Sequence, residues 1–291
     1  MKLQSIIIGA GRSGTTSLVE YVKQHPNINF STIKEVSYFS IDDHFNRGEK
    51  YLHAFFENKK GRTCTSDTYL LMDKNAPLRI KKYNPSIKLI VVIREPSQRT
   101  FSNFQYAINN GYIDEKTSFI ESESLESNYL KNNDIVFQNN YCNFYGSLYH
   151  KHLSYWLNYF NKEQLFICTT NELNTKPVET LNKLFDFIGI TKLDVTPLQI
   201  KNKASGVKLK GLNSFLIDRN NWLRKLIRKP LQINLIRKII FKTSLVEKIK
   251  DINRTEKKYR EMTPEEIEFC SCYFKNDLEL LKKEFGIEFS S

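Results

Sequence analysis

The sequence predicts an α/β fold of three layers, in which a central and mainly parallel β-sheet is flanked by helices. Three apolar runs indicate buried strands, at residues 5–8, 84–93 and 164–168. Apolar runs without polar alternation are typical of strands that are covered on both faces, as in parallel sheets. Helical patterns lie between these strands, and this alternation of strands and helices is characteristic of α/β folds.

Length and composition are those of one globular domain. The chain has 291 residues, of which 40% are hydrophobic and 26% charged, and this length is sufficient to form one large core. We therefore expect residues 1–291 to fold as a single domain. No apolar run approaches the ~18 residues of a spanning helix, and no signal segment opens the chain. Five cysteines without a C-x-x-C pair favour reduced thiols, and together these features predict a cytoplasmic protein.

The net charge of +12 is concentrated in one segment. Residues 201–260 contain 18 Lys and Arg against 4 Asp and Glu, whereas the rest of the chain contains 26 against 28. A segment of this kind suits an anionic partner, which leaves open an acidic polysaccharide, nucleic acid or an anionic membrane. Residues 222–229 and 235–242 alternate apolar and basic residues at helical spacing. They predict a basic helical segment, either a membrane-facing surface or the solvated face of a helical subdomain.

A glycine-rich turn follows the first predicted strand. Residues 5–22 read S-I-I-I-G-A-G-R-S-G-T-T-S-L-V-E-Y-V, which is a strand, a turn with three glycines and the start of a helix. This arrangement points backbone N–H groups and the positive end of a helix dipole at an anion. Arg12 adds a fixed positive charge to the turn. A glycine turn that binds no ligand is the alternative.

The turn differs from the nucleotide-triphosphate loop G-x-x-x-x-G-K-[ST] at one position. Gly9 and Gly14 have the spacing of that loop, but Thr15 stands where the loop requires lysine. That lysine contacts the β- and γ-phosphates during phosphoryl transfer. The turn is therefore expected to hold a phosphate without being built for phosphoryl transfer.

Two charged positions further along are candidate functional residues. Lys34 and Glu35 follow a short predicted strand at residues 28–30, and Glu35 is a candidate general base; a solvated ion pair is the alternative. Arg94 ends the strand at residues 84–93, at the carboxyl edge where open α/β sheets bind ligands. Ser102 lies about two turns into the next helix. Arg94 is expected to pair with a ligand anion or, alternatively, with Glu35 or another carboxylate.

The remaining segments complete the helical layers. Residues 49–56, 145–160 and 177–188 have helical periodicity, and Gly189 ends the last of these helices. Residues 110–140 are polar and predict a loop with a short helix above the site. Residues 201–211 contain four lysines and two glycines, which predicts a loop that closes over a phosphate. A final helix begins with Thr263 as its cap and ends at residues 285–286.

Together these segments resemble the sulfotransferases that use 3′-phosphoadenosine 5′-phosphosulfate (PAPS). The resemblance is to the carbohydrate, heparan-sulfate-type branch and its bacterial relatives. Two elements are specific in combination: residues 9–18 resemble the family's 5′-phosphosulfate loop, and residues 84–102 resemble its 3′-phosphate element. Residues 25–26, 34–39, 156–160, 172–173 and 187–189 follow the family's order between and after them.

The resemblance implies a function for individual residues. Glu35 matches the catalytic base, and Arg12 is implied to stabilise charge on the leaving nucleotide. PAPS is the implied co-substrate, and no metal is expected. The residues implied to bind it are Arg12, Ser13, Gly14, Thr15, Thr16, Ser17, Arg94, Ser102, Lys203, Ser205 and Lys208.

Two positions depart from the family pattern. Arg12 replaces a lysine that many members carry, and because arginine keeps its proton, its role is electrostatic. Thr65 stands where vertebrate relatives have another lysine, and either Lys34 or Lys74 is a candidate to replace it.

The sequence thus predicts transfer of a sulfuryl group from PAPS to a hydroxyl or amine of an oligo- or polysaccharide. Lipid and small-molecule acceptors stay open. A nucleotide kinase or NTPase and a non-enzymatic basic protein that binds nucleic acid or membrane are the rival interpretations. The first lacks the loop lysine, and the second leaves the glycine loop and Arg94 unexplained. We expect no nucleic-acid partner, but we expect peripheral contact of residues 201–260 with the anionic inner face of a membrane.

Overall fold

The computed structural model describes residues 2–197, 205–207, 254–256 and 260–289. Five of its strands form one sheet, and every neighbouring pair in that sheet is parallel. These strands are β1 (Ser5–Gly9), β2 (Ile28–Glu35), β3 (Arg62–Ser66), β4 (Lys88–Ile93) and β5 (Leu165–Thr169). Their order across the sheet is β2-β3-β1-β4-β5. The predicted parallel α/β fold is confirmed.

Helices cover both faces of this sheet. They are α1 (Thr15–Val22), α2 (Asp42–Phe45), α3 (Glu49–His53), α4 (Ala76–Tyr83), α5 (Pro96–Asn110), α6 (Phe119–Tyr129), α7 (Ile135–Tyr141), α8 (Tyr149–Leu157), α9 (Thr170–Thr175), α10 (Pro177–Phe187) and α11 (Pro264–Phe285). Short 3₁₀ turns lie at Leu70–Met72, Tyr145–Ser147 and Lys162–Gln164. Within the described ranges, none of the helices combines the length and the apolar character needed to cross a bilayer.

The central strands separate two apolar layers. Ile6 and Ile8 of β1 pack in the layer that contains Trp156 of α8, whereas Ile7 packs in the layer of Leu18 and Leu184, from α1 and α10. Successive side chains of a strand point to opposite faces, so one run of three isoleucines serves both layers. This is why the run shows no polar alternation.

Strand β3 was missed by the sequence analysis. Its sequence, R-T-C-T-S, is polar but buried between β1 and β2. Two of its three hydroxyl groups have partners inside the protein: Thr63 Oγ1 donates to the Lys2 carbonyl at 2.7 Å, and Thr65 Oγ1 lies 2.7 Å from Ser31 Oγ. The third, Ser66 Oγ, is buried without a hydrogen-bond partner among the described residues. Buried hydroxyls with hydrogen-bond partners are tolerated in a sheet, but they leave no hydrophobic pattern to detect.

Several predicted boundaries change. Strand β2 was predicted to end at residue 30, but it continues after an irregularity to Glu35, which is paired with Ser66 of β3. The helix predicted at residues 49–56 ends at His53. The segment 110–140 contains two helices, α6 and α7, in place of a single short one. Both begin at a polar cap, since Ser118 and Asp134 accept hydrogen bonds from the first turns of α6 and α7.

The last helix agrees with its prediction at both ends. Thr263 accepts a hydrogen bond from the N–H of Glu266 in a capping box, and Gly286 has φ 70° after the final turn. Of the predicted loop 201–211, Ser205–Val207 form strand β6, which pairs antiparallel with β7 (Arg254–Glu256) and lies beside α5. The helices predicted at 222–229 and 235–242 lie outside the described residues.

Candidate active site

The turn between β1 and α1 is shaped by two glycines. Gly9 has φ 151°, and a Cβ atom there would lie 2.9 Å from Leu71 Cβ. Gly14 has φ 91° and immediately precedes α1. The N–H of Ala10 donates to the Val92 carbonyl at 2.8 Å, which ties the turn to β4. The turn therefore passes close to the carboxyl edge of the sheet, with a conformation that side chains at Gly9 and Gly14 would oppose.

The N-terminus of α1 opens beside Lys34 from β2. The first N–H groups of a helix have no partner within the helix and favour an anion. Lys34 Nζ lies 3.0 Å from Thr16 Oγ1 and 3.3 Å from Thr15 Oγ1. The glycine turn has no lysine at Thr15, but an ammonium group from β2, two strands away in the sheet, lies beside it.

Arg12 joins this turn to α5. Its backbone adopts φ 68°, which costs a non-glycine residue about 1–2 kcal/mol. Its guanidinium group donates to Ser102 Oγ at 3.2 Å and lies 4.9 Å from the ring centroid of Tyr106. The predicted 5′ loop and the predicted 3′ element are therefore in direct contact.

Arg94 lies in the same region as Arg12. Burial lowers the pKa of Arg94, and the nearby positive charge of Arg12 lowers it further. Its guanidinium donates to Gln98 Oε1 at 3.2 Å. In the described part of the chain, no carboxylate lies within ion-pair distance of Arg94, so the alternative of a pair with Glu35 is wrong. Two guanidinium groups that repel one another are typical of an anion-binding site.

Glu35 is held from two sides at the end of β2. Its Oε1 lies 3.3 Å from Lys34 Nζ, in the predicted ion pair. Its Oε2 accepts a hydrogen bond from the N–H of Thr68 at 2.9 Å, and Thr68 Oγ1 lies 3.2 Å away. The side chain is 32% exposed. Glu35 is thus oriented by its neighbours and is still accessible to a second molecule.

Asp67 is a buried carboxyl group next to this arrangement. Its Oδ2 accepts a hydrogen bond from Ser40 at 2.6 Å, and its Oδ1 accepts one from the N–H of Tyr69 at 3.1 Å. Burial, reinforced by the charge of Glu35, raises the pKa of Asp67 from 3.8 to about 8. Asp67 is therefore neutral at pH 7 and holds the turn that carries Thr68.

Replacing Asp67 with asparagine is expected to reduce the loss of stability at rising pH. Between its unfolded pKa of 3.8 and its folded pKa of about 8, the folded protein retains a proton that the unfolded chain releases. This contribution to stability is complete below the lower value and disappears as the pH rises through the higher one. Asparagine can still accept from the Tyr69 N–H through its Oδ1 and can donate to Ser40 Oγ through its Nδ2, but it does not ionise. From about pH 5 to pH 8, the wild type should lose at least ~1 kcal/mol more stability than the variant.

Denaturant titrations over this pH range measure the difference. Asp186→Asn, a change at an exposed carboxyl group, serves as the control. Parallel pH profiles for the wild type and Asp67→Asn would contradict the assignment of a protonated Asp67.

Two further residues support the loop, and neither was predicted from the sequence. Arg99 is 1% exposed, and its Nε donates to the Gly11 carbonyl at 3.0 Å while its Nη1 donates to the Asn143 carbonyl at 2.8 Å. Thr170 Oγ1 donates to the Ser13 carbonyl at 2.7 Å. Arg99 lies within residues 84–102, which were matched to the 3′-phosphate element. Its sequence position alone does not show whether it binds phosphate; its burial on α5 shows that it supports the turn.

The other predicted residues divide into three groups. Ser13 is buried within the turn, and Ser17 lies in the first turns of α1. Lys74 is exposed, whereas Lys34 contacts both the loop and Glu35, so the geometry favours Lys34 as the replacement for the absent family lysine. Lys203 and Lys208 lie outside the described residues, and Ser205 is described only in its backbone.

Across the described ranges, His, Cys, Asp and Glu side chains form no group of three that would hold a metal ion.

The chain resembles known proteins over nearly all of its length. Residues 2–282 match the family described as "Sulfotransferase domain". Human heparan sulfate glucosamine 3-O-sulfotransferase 5 is 27% identical over 190 residues, which are 64% of this chain and 53% of that protein. The chain thus spans about half the length of this curated relative.

Two solved structures have the same fold. A sulfotransferase from Alicyclobacillus acidocaldarius has a TM-score of 0.68 at 19% identity, over 99% of this chain and 98% of that one. Retinol dehydratase, solved in a complex with retinol and PAP, has a TM-score of 0.50 at 11% identity, over 100% and 84% of the two chains. At these identities the likeness concerns the fold.

Proposed function

The chain belongs to the sulfotransferase domain family, and from this premise we propose that it transfers a sulfuryl group from PAPS to a hydroxyl or amine of a carbohydrate. The observation that carries the proposal is the contact between Arg12 and Ser102, at 3.2 Å. It joins the glycine turn to the helix that follows Arg94. A donor with a phosphosulfate at one end and a 3′-phosphate at the other needs two anion-binding elements at the same edge of the sheet.

The residues present fit such a donor. The turn offers the N–H groups at the start of α1, the hydroxyls of Thr15 and Thr16 and the guanidinium of Arg12, all of which donate hydrogen bonds to anions. Arg94 and Ser102 offer a second set of donors for the 3′-phosphate. When bound, PAPS supplies the activated sulfuryl group.

We assign the base to Glu35. Its carboxylate takes the proton from the acceptor oxygen or nitrogen as that atom forms its bond to sulfur. The bond from sulfur to the bridging phosphate oxygen breaks, and the electron pair stays with the departing nucleotide. Arg12 and Lys34 stabilise the negative charge that develops there. Lys34 contacts both the loop hydroxyls and Glu35, so it lies between the group that holds the leaving nucleotide and the base that deprotonates the acceptor.

The carbohydrate acceptor is proposed from the curated relative, whose name specifies heparan sulfate glucosamine. The excess of Lys and Arg in residues 201–260 supports this choice, because a basic segment attracts an acidic polysaccharide. Contact of the same segment with an anionic membrane and a cytoplasmic location are further proposals.

Ligand binding separates the proposed function from its rivals. Adenosine 3′,5′-bisphosphate, the product of transfer, should raise the melting temperature, whereas ATP with Mg²⁺ and an oligonucleotide should have little effect. Preferential stabilisation by ATP with Mg²⁺ would favour a kinase or NTPase, and stabilisation by the oligonucleotide alone would favour a nucleic-acid-binding protein. Transfer of radiolabelled sulfate to a panel of glycans, lipids and small alcohols would then identify the acceptor.

Replacing Arg94 with alanine should weaken binding of the bisphosphate by about ten- to a hundredfold, the value of one or two hydrogen bonds to a charged group. Calorimetric titration with adenosine 3′,5′-bisphosphate and with adenosine 5′-monophosphate measures the effect. The loss should be large for the bisphosphate and small for the monophosphate, which lacks the 3′-phosphate. Arg47→Ala, at an exposed arginine that packs on Tyr51, is the control. Equal losses for both nucleotides would remove Arg94 from the 3′-phosphate site.

A further inference from the structure

Gly11 differs from the other two glycines of the turn. Gly9 and Gly14 have left-handed φ values, but Gly11 does not. A Cβ atom at Gly11 would have its nearest neighbours, Asn139 Oδ1 and Thr68 Cβ, at 3.8 Å, which is ordinary contact. Neither the backbone conformation nor the packing of the protein alone requires glycine at this position. Its absent side chain leaves a space between Thr68 and Asn139.

This space is adjacent to the proposed base. Thr68 Oγ1 would lie 3.9 Å from a Cβ atom at Gly11, and it lies 3.2 Å from Glu35 Oε2. The opposite wall is α7, whose position is fixed because Asn103 Nδ2 donates to the Asn139 carbonyl at 3.2 Å. The space in front of Gly11 therefore lies against Thr68, which contacts the Glu35 carboxylate.

Asn139 presents an unused hydrogen-bond acceptor to this space. Its Oδ1 is buried, and among the described residues it has no hydrogen-bond partner. Buried side-chain oxygens are nearly always partnered, since an unpaired one retains the full cost of losing water. A ligand with a hydrogen-bond donor in this position would remove that cost on binding.

We propose that the space bounded by Gly11, Thr68 and Asn139 is a subsite for the acceptor, in which a second hydroxyl or amine of the acceptor donates to Asn139 Oδ1. This proposal rests on the proposed function and specifies the acceptor further. The acceptor must carry a second hydrogen-bond donor next to the reacting group, as sugars do with their vicinal hydroxyls or neighbouring amine and hydroxyl. A simple monohydroxy lipid or phenol offers no such donor. The second hydrogen bond turns the reacting atom toward Glu35.

Asn139→Leu and Gly11→Ala test the subsite. Leucine has a similarly branched but larger side chain with no hydrogen-bonding group, and alanine occupies the space directly. Each variant should raise the acceptor KM by about tenfold or more, the value of one hydrogen bond to a buried group. The melting temperature should stay within a few degrees of the wild type, and the affinity for adenosine 3′,5′-bisphosphate should stay within twofold. Asn140→Leu is the matched control, because the next residue of a helix points about 100° away.

A pair of acceptors that differ only in the neighbouring hydroxyl completes the test. The wild type should prefer the diol over its deoxy analogue by about tenfold, and Asn139→Leu should lose this preference. An unchanged KM in both variants, or a diol preference that persists without Asn139, would overturn the subsite. Loss of bisphosphate affinity in Gly11→Ala would also overturn it, because the space would then belong to the donor. A wild type that transfers sulfate to none of the acceptors would instead overturn the proposed function on which the subsite depends.

Discussion

Replacing Glu35 with glutamine is expected to lower the rate of sulfuryl transfer by about 10²–10⁴-fold and to leave the affinity for adenosine 3′,5′-bisphosphate unchanged. Glutamine has the same shape and still accepts the hydrogen bond that Thr68 N–H donates to Glu35 at 2.9 Å. It does not take a proton from the acceptor. The loss should therefore appear in kcat and not in nucleotide binding.

Steady-state kinetics with labelled PAPS and calorimetry with the bisphosphate measure the two effects separately. Glu57→Gln makes the same change at an exposed carboxylate that pairs with Lys59, and it should have nearly wild-type kinetics. Turnover of Glu35→Gln close to the wild-type rate would remove Glu35 from the role of base. A loss of nucleotide affinity equal to the loss of turnover would assign it a role in binding.

Replacing Arg99 with methionine is expected to cost about 3–5 kcal/mol of stability and to weaken nucleotide binding. Its guanidinium group is buried between the glycine turn and the segment before α8, where it donates to the carbonyls of Gly11 and Asn143. Glu126 is also buried nearby, with a pKa that burial raises to about 7; hydrogen bonds from backbone N–H groups counteract this rise, and the charge of Arg99 adds a smaller effect. Methionine would fill much of the volume but leave both carbonyls without their donor and Glu126 without its nearby cation.

Denaturant unfolding and bisphosphate titration measure the two consequences. Arg99→Lys keeps the charge but not the planar group that reaches two carbonyls at once, so it should lose less stability than methionine and still weaken binding. Arg47→Met, at an exposed arginine, controls for the loss of a positive charge. A change below about 1 kcal/mol in Arg99→Met would show that the guanidinium does not support the turn.

Local patterns in the sequence predicted most of the central architecture. The apolar runs of β1, β4 and β5, the glycine turn and the capped start of α11 are all confirmed, and so is the family. Strand β3 was missed because it is polar: the Thr63 and Thr65 hydroxyls form hydrogen bonds to Lys2 and Ser31, and the strand has no apolar period. The end of β2 was misplaced for a related reason, since Glu35 belongs to a strand only through its pairing with Ser66.

The candidate site was only partly predictable. Arg12, Glu35, Arg94 and Ser102 were named from motifs, and their roles toward a ligand stay predictions. Lys34 was one of two candidates for the missing lysine, and its distance of 3.0 Å to Thr16 Oγ1 distinguishes it from Lys74. Thr68 and Asn139 were not named as site residues, and the contacts that bring them into the site come from strand order and from the position of α7.

The sequence by itself determined which short segments become strands, where an anion-binding turn lies and to which family the chain belongs. Each of these depends on residues that are close together along the chain. Only the tertiary structure decided which side chains meet at the turn, because β2, β3, β1 and β4 bring together residues that lie tens of positions apart. Hydrophobic periodicity specifies that a strand is buried, but it does not specify which strands lie beside it. The order of β2, β3 and β1 in the sheet determines that Lys34 reaches Thr16 and that Thr68 orients Glu35.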